Sequence, residues 1–189
     1  MVKTRWSNGI GAAVAFDVCD SLASACVKCV VAGSLRRMKP TIGDVEILYI
    51  GKTVRQRDPA DLFKVIEVNL ADDAIAALEN ARILDRRTNV KGSEMYGAKN
   101  KLLRHRVTGM PVDLFAATAA NWWNYLVCRT GPKESNMRIA KAAQAKGWKW
   151  NPYGVGFTAL DSGEVRAMNS EKEVFEFVGM EYVLPEQRK

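Results

Sequence analysis

The feature that most limits the folds open to this chain is a short run beginning at residue 33. Gly33-Ser34-Leu35-Arg36-Arg37 follows a β-branched segment, Lys28 to Ala32, and leads through a basic turn ending at Gly43 into Asp44-Val45-Glu46. Pro40 and Gly43 punctuate that turn, and Val45 to Ile50 reads as a second strand closed by Gly51. Strand side chains alternate between faces, so residues two apart share one. Asp44 and Glu46 therefore project together, while Val45 and Ile47 face the core. Val112-Asp113-Leu114 repeats the arrangement, with one acid inside an apolar strand. A lone Gly-Ser pair means little, and an Asp-x-Glu pair at a strand edge is commonly just solvated. A strand, a Gly-Ser turn, two arginines and Asp-x-Glu on the next strand are together far more specific.

Three carboxylates on neighbouring strands repel one another unless a cation sits between them. Mg²⁺ suits the position, because it takes hard oxygen ligands and completes its shell with water and substrate phosphates. Mn²⁺ accepts the same donors. Two such ions about 4 Å apart clamp the attacking and leaving oxygens of a phosphoryl displacement. Gly33 allows close backbone approach, and turn N–H groups with the Ser34 hydroxyl suit phosphate oxygens. Arg37 adds a permanently charged donor set for a leaving pyrophosphate.

Around this run the chain reads as an alternation of helices and strands. Ile10 to Ala25 is helical, as is Leu70 to Asn80, with Asn69 or Asp72 as its cap. Lys64–Val68, Ile83–Val90, Leu102–Val107 and Pro111–Ala116 read as extended, with Lys91 to Asn100 as a loop. Sequence-adjacent strands among helices predict a mixed sheet, not a purely parallel one. After Ala117 helices dominate: Asn121–Val127, Glu134–Lys146 and Glu171–Val178, the last starting from the cap Ser170. A short strand pair is expected around Asp161-Ser162-Gly163. The boundary between the two parts is placed near residue 120. Trp122-Trp123 and Trp148-Lys149-Trp150 read as core residues of the second part. His105, the single histidine, cannot form a histidine-based catalytic pair.

Of the 189 residues 48% are hydrophobic, ample for a core, and no apolar run approaches the roughly 18 residues of a membrane span. No apolar signal core follows Met1, so a cytoplasmic protein is expected. Cys26-Val27-Lys28-Cys29 has zinc-like spacing, yet only Cys19, Cys128 and His105 remain to complete a site, so ordinary thiols are the expectation. The net charge of +7 is uneven. Residues 82–106 carry eight Lys or Arg against Asp85 and Glu94, and residues 41–81 carry eight acids against four bases. A basic stretch beside an acidic one suggests a polyanion track next to a cation site.

At these residues the sequence resembles the nucleotidyltransferase superfamily and, within it, the family X DNA polymerases. The match runs through Gly33-Ser-Leu-Arg-Arg37, Gly43-Asp-Val-Glu46, Val112-Asp-Leu-Phe115, Arg129-Thr-Gly131 and Asn136-Met-Arg138, in order and at similar spacing over nearly the whole chain. The resemblance implies an α+β fold: a palm of mixed β-sheet with flanking helices over residues 1–120, then a small, mainly helical thumb over 121–189. It implies two Mg²⁺ ions on Asp44, Glu46 and Asp113, and a primer 3′-hydroxyl attacking an incoming deoxynucleotide with release of pyrophosphate. It also assigns Gly33, Ser34, Arg37, Gly43, Thr130, Gly131, Asn136 and Arg138 to the nucleotide. The sequence departs from the family pattern at several places. Glu46 stands where the polymerases usually carry Asp, Cys128 and Arg129 replace positions that are often aromatic, and Pro111 stands in place of an arginine. About 30 residues precede Gly33, too few for a lyase domain. The organisation is similar to the minimal, virus-encoded members.

The expected partners are a DNA primer-template or gapped DNA and a deoxynucleoside triphosphate, bound by a monomer with no membrane. Lys91, Lys99, Lys101 and Arg104 are the candidate DNA contacts, with Lys99-Asn100-Lys101 favoured for the primer or template strand. Three alternatives share the chain's features: a nucleotidyltransferase acting on RNA ends or another acceptor, a template-independent terminal transferase, and a non-enzymatic nucleic-acid-binding relative.

Overall fold

The computed structural model describes residues 4–89 and 91–188, so Met1 to Lys3, Lys189 and Val90, the last residue of one expected strand, lie outside the description. The first helix, α1 (Asn8–Ala23), is capped by Ser7, whose side chain accepts from the Ile10 amide. It leads into β2 (Cys26–Val31) and a single helical turn, α2 (Gly33–Arg36). Next come β4 (Val45–Gly51), α3 (Leu70–Asn80), β7 (Leu84–Arg86), β8 (Asn100–His105) and β9 (Pro111–Ala116). The Asn69 side chain caps α3 by accepting from the Ala71 amide.

These strands form a five-stranded sheet in the order β2-β4-β9-β8-β7. Only β4 and β9 run parallel; their neighbours pair antiparallel. The sheet is mixed, as the alternation of elements predicts. On one face Ile47, Tyr49, Val112 and Leu114 pack against Val14, Val18 and Leu22 of α1 and Ile75 and Leu78 of α3. The other face, carrying Leu48 and Phe115, is covered by Trp122, Tyr125 and Leu126 of α4 (Trp122–Thr130).

Smaller elements complete the first part. A two-residue pair joins β1 (Trp6–Ser7) to β3 (Thr41–Ile42). A separate antiparallel ribbon, β5 (Thr53–Asp58) and β6 (Asp61–Asn69), stands apart from the main sheet. Only the second arm of this ribbon was expected. β5 reads Thr-Val-Arg-Gln-Arg-Asp and is almost wholly exposed, so it offers no apolar alternation to detect.

Beyond α4 lie α5 (Lys133–Ala145), a three-stranded sheet of β10 (Trp148–Trp150), β11 (Gly156–Ala159) and β12 (Val165–Ala167), and α6 (Glu171–Phe177). Ser170 caps α6 by accepting from the Glu173 amide. This half is less purely helical than expected, because Trp148–Trp150 adds a strand to the anticipated pair around Asp161-Ser-Gly163. Its core is built from Val127, Ile139, Ala143, Trp150, Phe157, Val174 and Phe175. Trp150 donates its indole N–H to Asn124 Oδ1 at 3.1 Å, so two of the tryptophans, Trp122 and Trp150, are buried packing residues. Among the described residues no helix is long and apolar enough to cross a membrane.

Candidate active site

The parallel pairing of β4 and β9 puts Glu46 directly opposite Asp113, and Asp44 immediately precedes β4. Strand alternation aims Glu46 and Asp113 to the side of Leu48 and Phe115, away from the α1–α3 core. α4 covers Leu48 and Phe115 but leaves the acids at the open end of that face. The three carboxylates sense one another. Burial pushes the Glu46 carboxyl up to about 7, with Asp44 and Asp113 adding to the rise and Arg129 and Arg37 opposing it. Asp113 is also raised, first by burial, while the Arg87 guanidinium pulls it back.

Gly33 brings the phosphate-type turn against these acids. Its φ of 63° lies in the left-handed region, and a Cβ added there would overlap the Glu46 carboxylate. The helical turn that follows carries Ser34, and Arg37 closes it. With Gly43 and Asp44 these residues line a polar pocket of about 380 Å³. The same pocket is walled by Arg5 and Lys39, two cations that sequence reasoning missed. Arg5 is held there by bonds from Nε to Thr41 Oγ1 at 2.9 Å and from Nη2 to the Thr41 carbonyl at 2.6 Å. Neither residue lies in a recognisable motif; the β1–β3 pair and the turn bring them in.

A second, larger cavity of about 520 Å³ opens between the sheet and the second half, lined by Glu46, Cys128, Arg129, Gly131, Asn136 and Tyr153 among others. Arg37 lines both cavities, so they meet at its guanidinium. Burial lowers the pKa of Arg37, and its Nη1 donates to the Thr130 carbonyl. Asn136 donates to the Cys128 carbonyl at 2.8 Å and leaves a buried Oδ1 without a partner among the described residues.

Not every expected site residue reaches these cavities. Thr130 is fully buried and accepts from Arg36 through its hydroxyl, so it braces the turn and does not face a ligand. Arg138 lines a separate small cavity with Ser135 and Arg188. Lys101 departs most from expectation. It is buried, bonded to Asp72 at 2.7 Å and to the Gly97 carbonyl, and is absent from the exposed surface where Lys91, Lys99 and Arg104 lie.

Two further guanidinium groups reach the acids. Arg87 Nη2 bonds Asp113 Oδ1. Arg129 Nη1 lies 3.9 Å from Glu46, and its guanidinium rests 3.5 Å over the Phe115 ring. The sequence places Arg129 in the Arg129-Thr-Gly131 match and Arg87 in the basic stretch, but signals for neither a contact with the acids. Among the described residues no three Asp, Glu, His or Cys side chains are gathered as a metal cage, and Glu46 and Asp113 each lie against an arginine. The donor set nonetheless suits a hard dication. Asp44 and Asp113 both disfavour charge on Glu46, and the glycine at position 33 leaves room beside its carboxylate.

Residues 125–189 match the family model described as the DNA polymerase beta thumb. Among solved structures, the chain is similar to Leishmania infantum polymerase beta in a ternary P/T complex. The TM-score is 0.75 at 17% identity, over 100% of this chain and 78% of that one. The same enzyme in a ternary gap complex gives a TM-score of 0.76 at 17% identity, over 98% of this chain and 71% of that one. At that identity the likeness is one of fold. No curated protein matches the sequence.

Proposed function

We propose that this chain, a family X polymerase-like protein of α+β fold, is a DNA polymerase that adds deoxynucleotides to a primer 3′-hydroxyl. The observation that carries the reading is the register of β4 and β9, which sets Glu46 beside Asp113, with Asp44 just before β4 and the Gly33 turn against Glu46. Asp44, Glu46 and Asp113 would hold two divalent cations. These would supply Lewis acidity at the α-phosphate and lower the pKa of the attacking hydroxyl.

The remaining work falls to the chain's own groups. Ser34, Arg37 and Gly43, joined by Arg5 and Lys39, bind the β- and γ-phosphates in the polar pocket. Arg37 also stabilises charge on the departing pyrophosphate, because it stands where the two cavities meet. The base and sugar occupy the larger cavity, against Asn136, Gly131 and Tyr153. The division into a palm and a thumb near residue 120 belongs to the same reading, as does DNA binding along the exposed basic residues Lys91, Lys99 and Arg104. The solved structures that resemble this chain include ternary P/T and gap complexes, which supports a DNA substrate over an RNA end.

The test is extension of a labelled DNA primer alone, on a template and across a short gap, with Mg²⁺ and each nucleotide supplied separately. Template-matched extension that vanishes in Asp44→Asn and Asp113→Asn supports the proposal. Untemplated extension makes the protein a terminal transferase. No extension under any of these conditions, with Mn²⁺ also tried, overturns the reading and makes RNA ends the next acceptor to try.

A further inference from the structure

We infer that Arg87 is the positioning residue of Asp113: it grips one carboxylate oxygen so that the other is presented to the reacting centre. The inference rests on the proposed role of Asp113. Arg87 follows the last residue of β7, and its backbone amide donates to the Leu102 carbonyl at 3.1 Å. Leu102 is the β8 residue paired with Asp113 in the sheet, so the Arg87 side chain reaches its target across one strand. All three guanidinium nitrogens are engaged. Nε donates to the Leu103 carbonyl at 3.0 Å, Nη1 to the Thr88 carbonyl at 3.2 Å, and Nη2 to Asp113 Oδ1. Two of these bonds go to backbone and fix the plane of the guanidinium; the third then fixes the carboxylate.

Both side chains are largely enclosed, with exposures of 23% for Arg87 and 14% for Asp113. Solvent therefore competes weakly for the bond. A planar, bidentate-capable fork does this work better than a point charge, which lacks the fixed geometry that spans the three acceptors. With Oδ1 held by Arg87, Oδ2 is the oxygen that would be offered to a cation or primer hydroxyl. Groups that orient metal-ligating side chains typically carry a 10- to 100-fold effect on metal affinity or activity.

The test uses the full chain and the variants Arg87→Ala, Arg87→Lys and Asp113→Asn. Mn²⁺ is titrated by electron paramagnetic resonance without DNA or nucleotide, and single-turnover primer extension is measured in parallel. Thermal melting in chelator establishes that each variant is folded. The expected result for Arg87→Ala is Mn²⁺ binding weakened roughly 10- to 100-fold, a slower extension step and an unchanged half-saturating nucleotide concentration. Arg87→Lys, which keeps the charge and loses the fork, falls between Arg87→Ala and the parent. If Arg87→Ala does not fold, Arg87→Lys alone decides, and parental affinity and rate in that variant overturn the inference. Tighter Mn²⁺ binding in either variant also overturns it, since Arg87 would then be a cation competing for Asp113. Normal behaviour of Arg87→Ala beside an inactive Asp113→Asn defeats this inference and spares the proposed function. An active Asp113→Asn defeats that function instead.

Discussion

At the scale of single residues, the site is a set of charges that the fold holds in tension. Without a dication, burial and its acidic neighbours push Glu46 up to about 7, whereas an unfolded glutamate titrates near 4.3. The folded state therefore holds this proton more tightly than the unfolded chain does. The stabilisation is complete below about pH 4 and is lost as pH rises towards 7, a change on the order of 3–4 kcal/mol. The melting temperature of chelator-treated protein is expected to fall between pH 5 and pH 7, and Glu46→Gln should flatten that fall. Melting curves at four pH values across this range check it; an equal slope in the variant would place the titrating group elsewhere. Gly33 is the other residue under constraint. Gly33→Ala forces a side chain into a left-handed backbone, at roughly 1–2 kcal/mol, and against the Glu46 carboxylate. Extension should be lost well before folding is, which parallel melting and primer-extension assays would separate.

At the scale of elements, the turn that carries Ser34 and Arg37 is tied to the far end of the chain. Arg36 bonds Glu171 at the start of α6 through both Nη atoms, at 2.9 and 2.6 Å. Arg188 bonds the same carboxylate at 3.2 Å, with its side chain only 1% exposed. Removing a partner from a buried ion network leaves charge uncompensated, so Glu171→Ala should cost about 3–5 kcal/mol. The exposed pair Arg55–Glu67 on the β5–β6 ribbon is the control: Glu67→Ala should cost less than about 1 kcal/mol. Urea unfolding of both variants checks the contrast, and similar losses would mean that the buried network contributes little. Much of this architecture was legible in the chain itself. Pro111–Ala116 occupies its expected span, and Asn69 and Ser170 cap the expected helices, because local periodicity and capping chemistry set those elements. The pairing of Glu46 with Asp113 was foreshadowed by one acid in each apolar strand. What stayed hidden depends on distant contacts. Arg5 reaches the phosphate-type pocket through a two-residue strand pair, and Arg87 reaches Asp113 across β8, neither of which leaves a periodic signal.

At the scale of the whole molecule, the net charge of +7 is useful only where it faces solvent. The basic stretch from Arg82 to Arg106 looks uniform in sequence, yet the fold divides it into different tasks. Arg87 serves Asp113, Lys101 is buried against Asp72, and Arg104 and Arg106 lie about 4 Å from Asp85, while Lys91 and Lys99 remain exposed. Each phosphate contact on duplex DNA contributes about −0.9 to the slope of log affinity against log salt. If Lys99 touches the backbone, Lys99→Ala should make that slope shallower by about 0.9 and leave the melting temperature in place. Lys101→Met should do the reverse: the slope stays as it is, and stability falls because Asp72 and the Gly97 carbonyl lose their partner. Binding isotherms at several salt concentrations, set beside melting curves of the two variants, distinguish the roles. A changed slope in Lys101→Met would mean that the lysine leaves Asp72 when DNA arrives. An unchanged slope in Lys99→Ala would move the DNA track off this strand and towards the loop around Lys91. Two neighbouring lysines of the same charge thus differ in exposure because one strand position points into the protein and the other lies just before the strand begins.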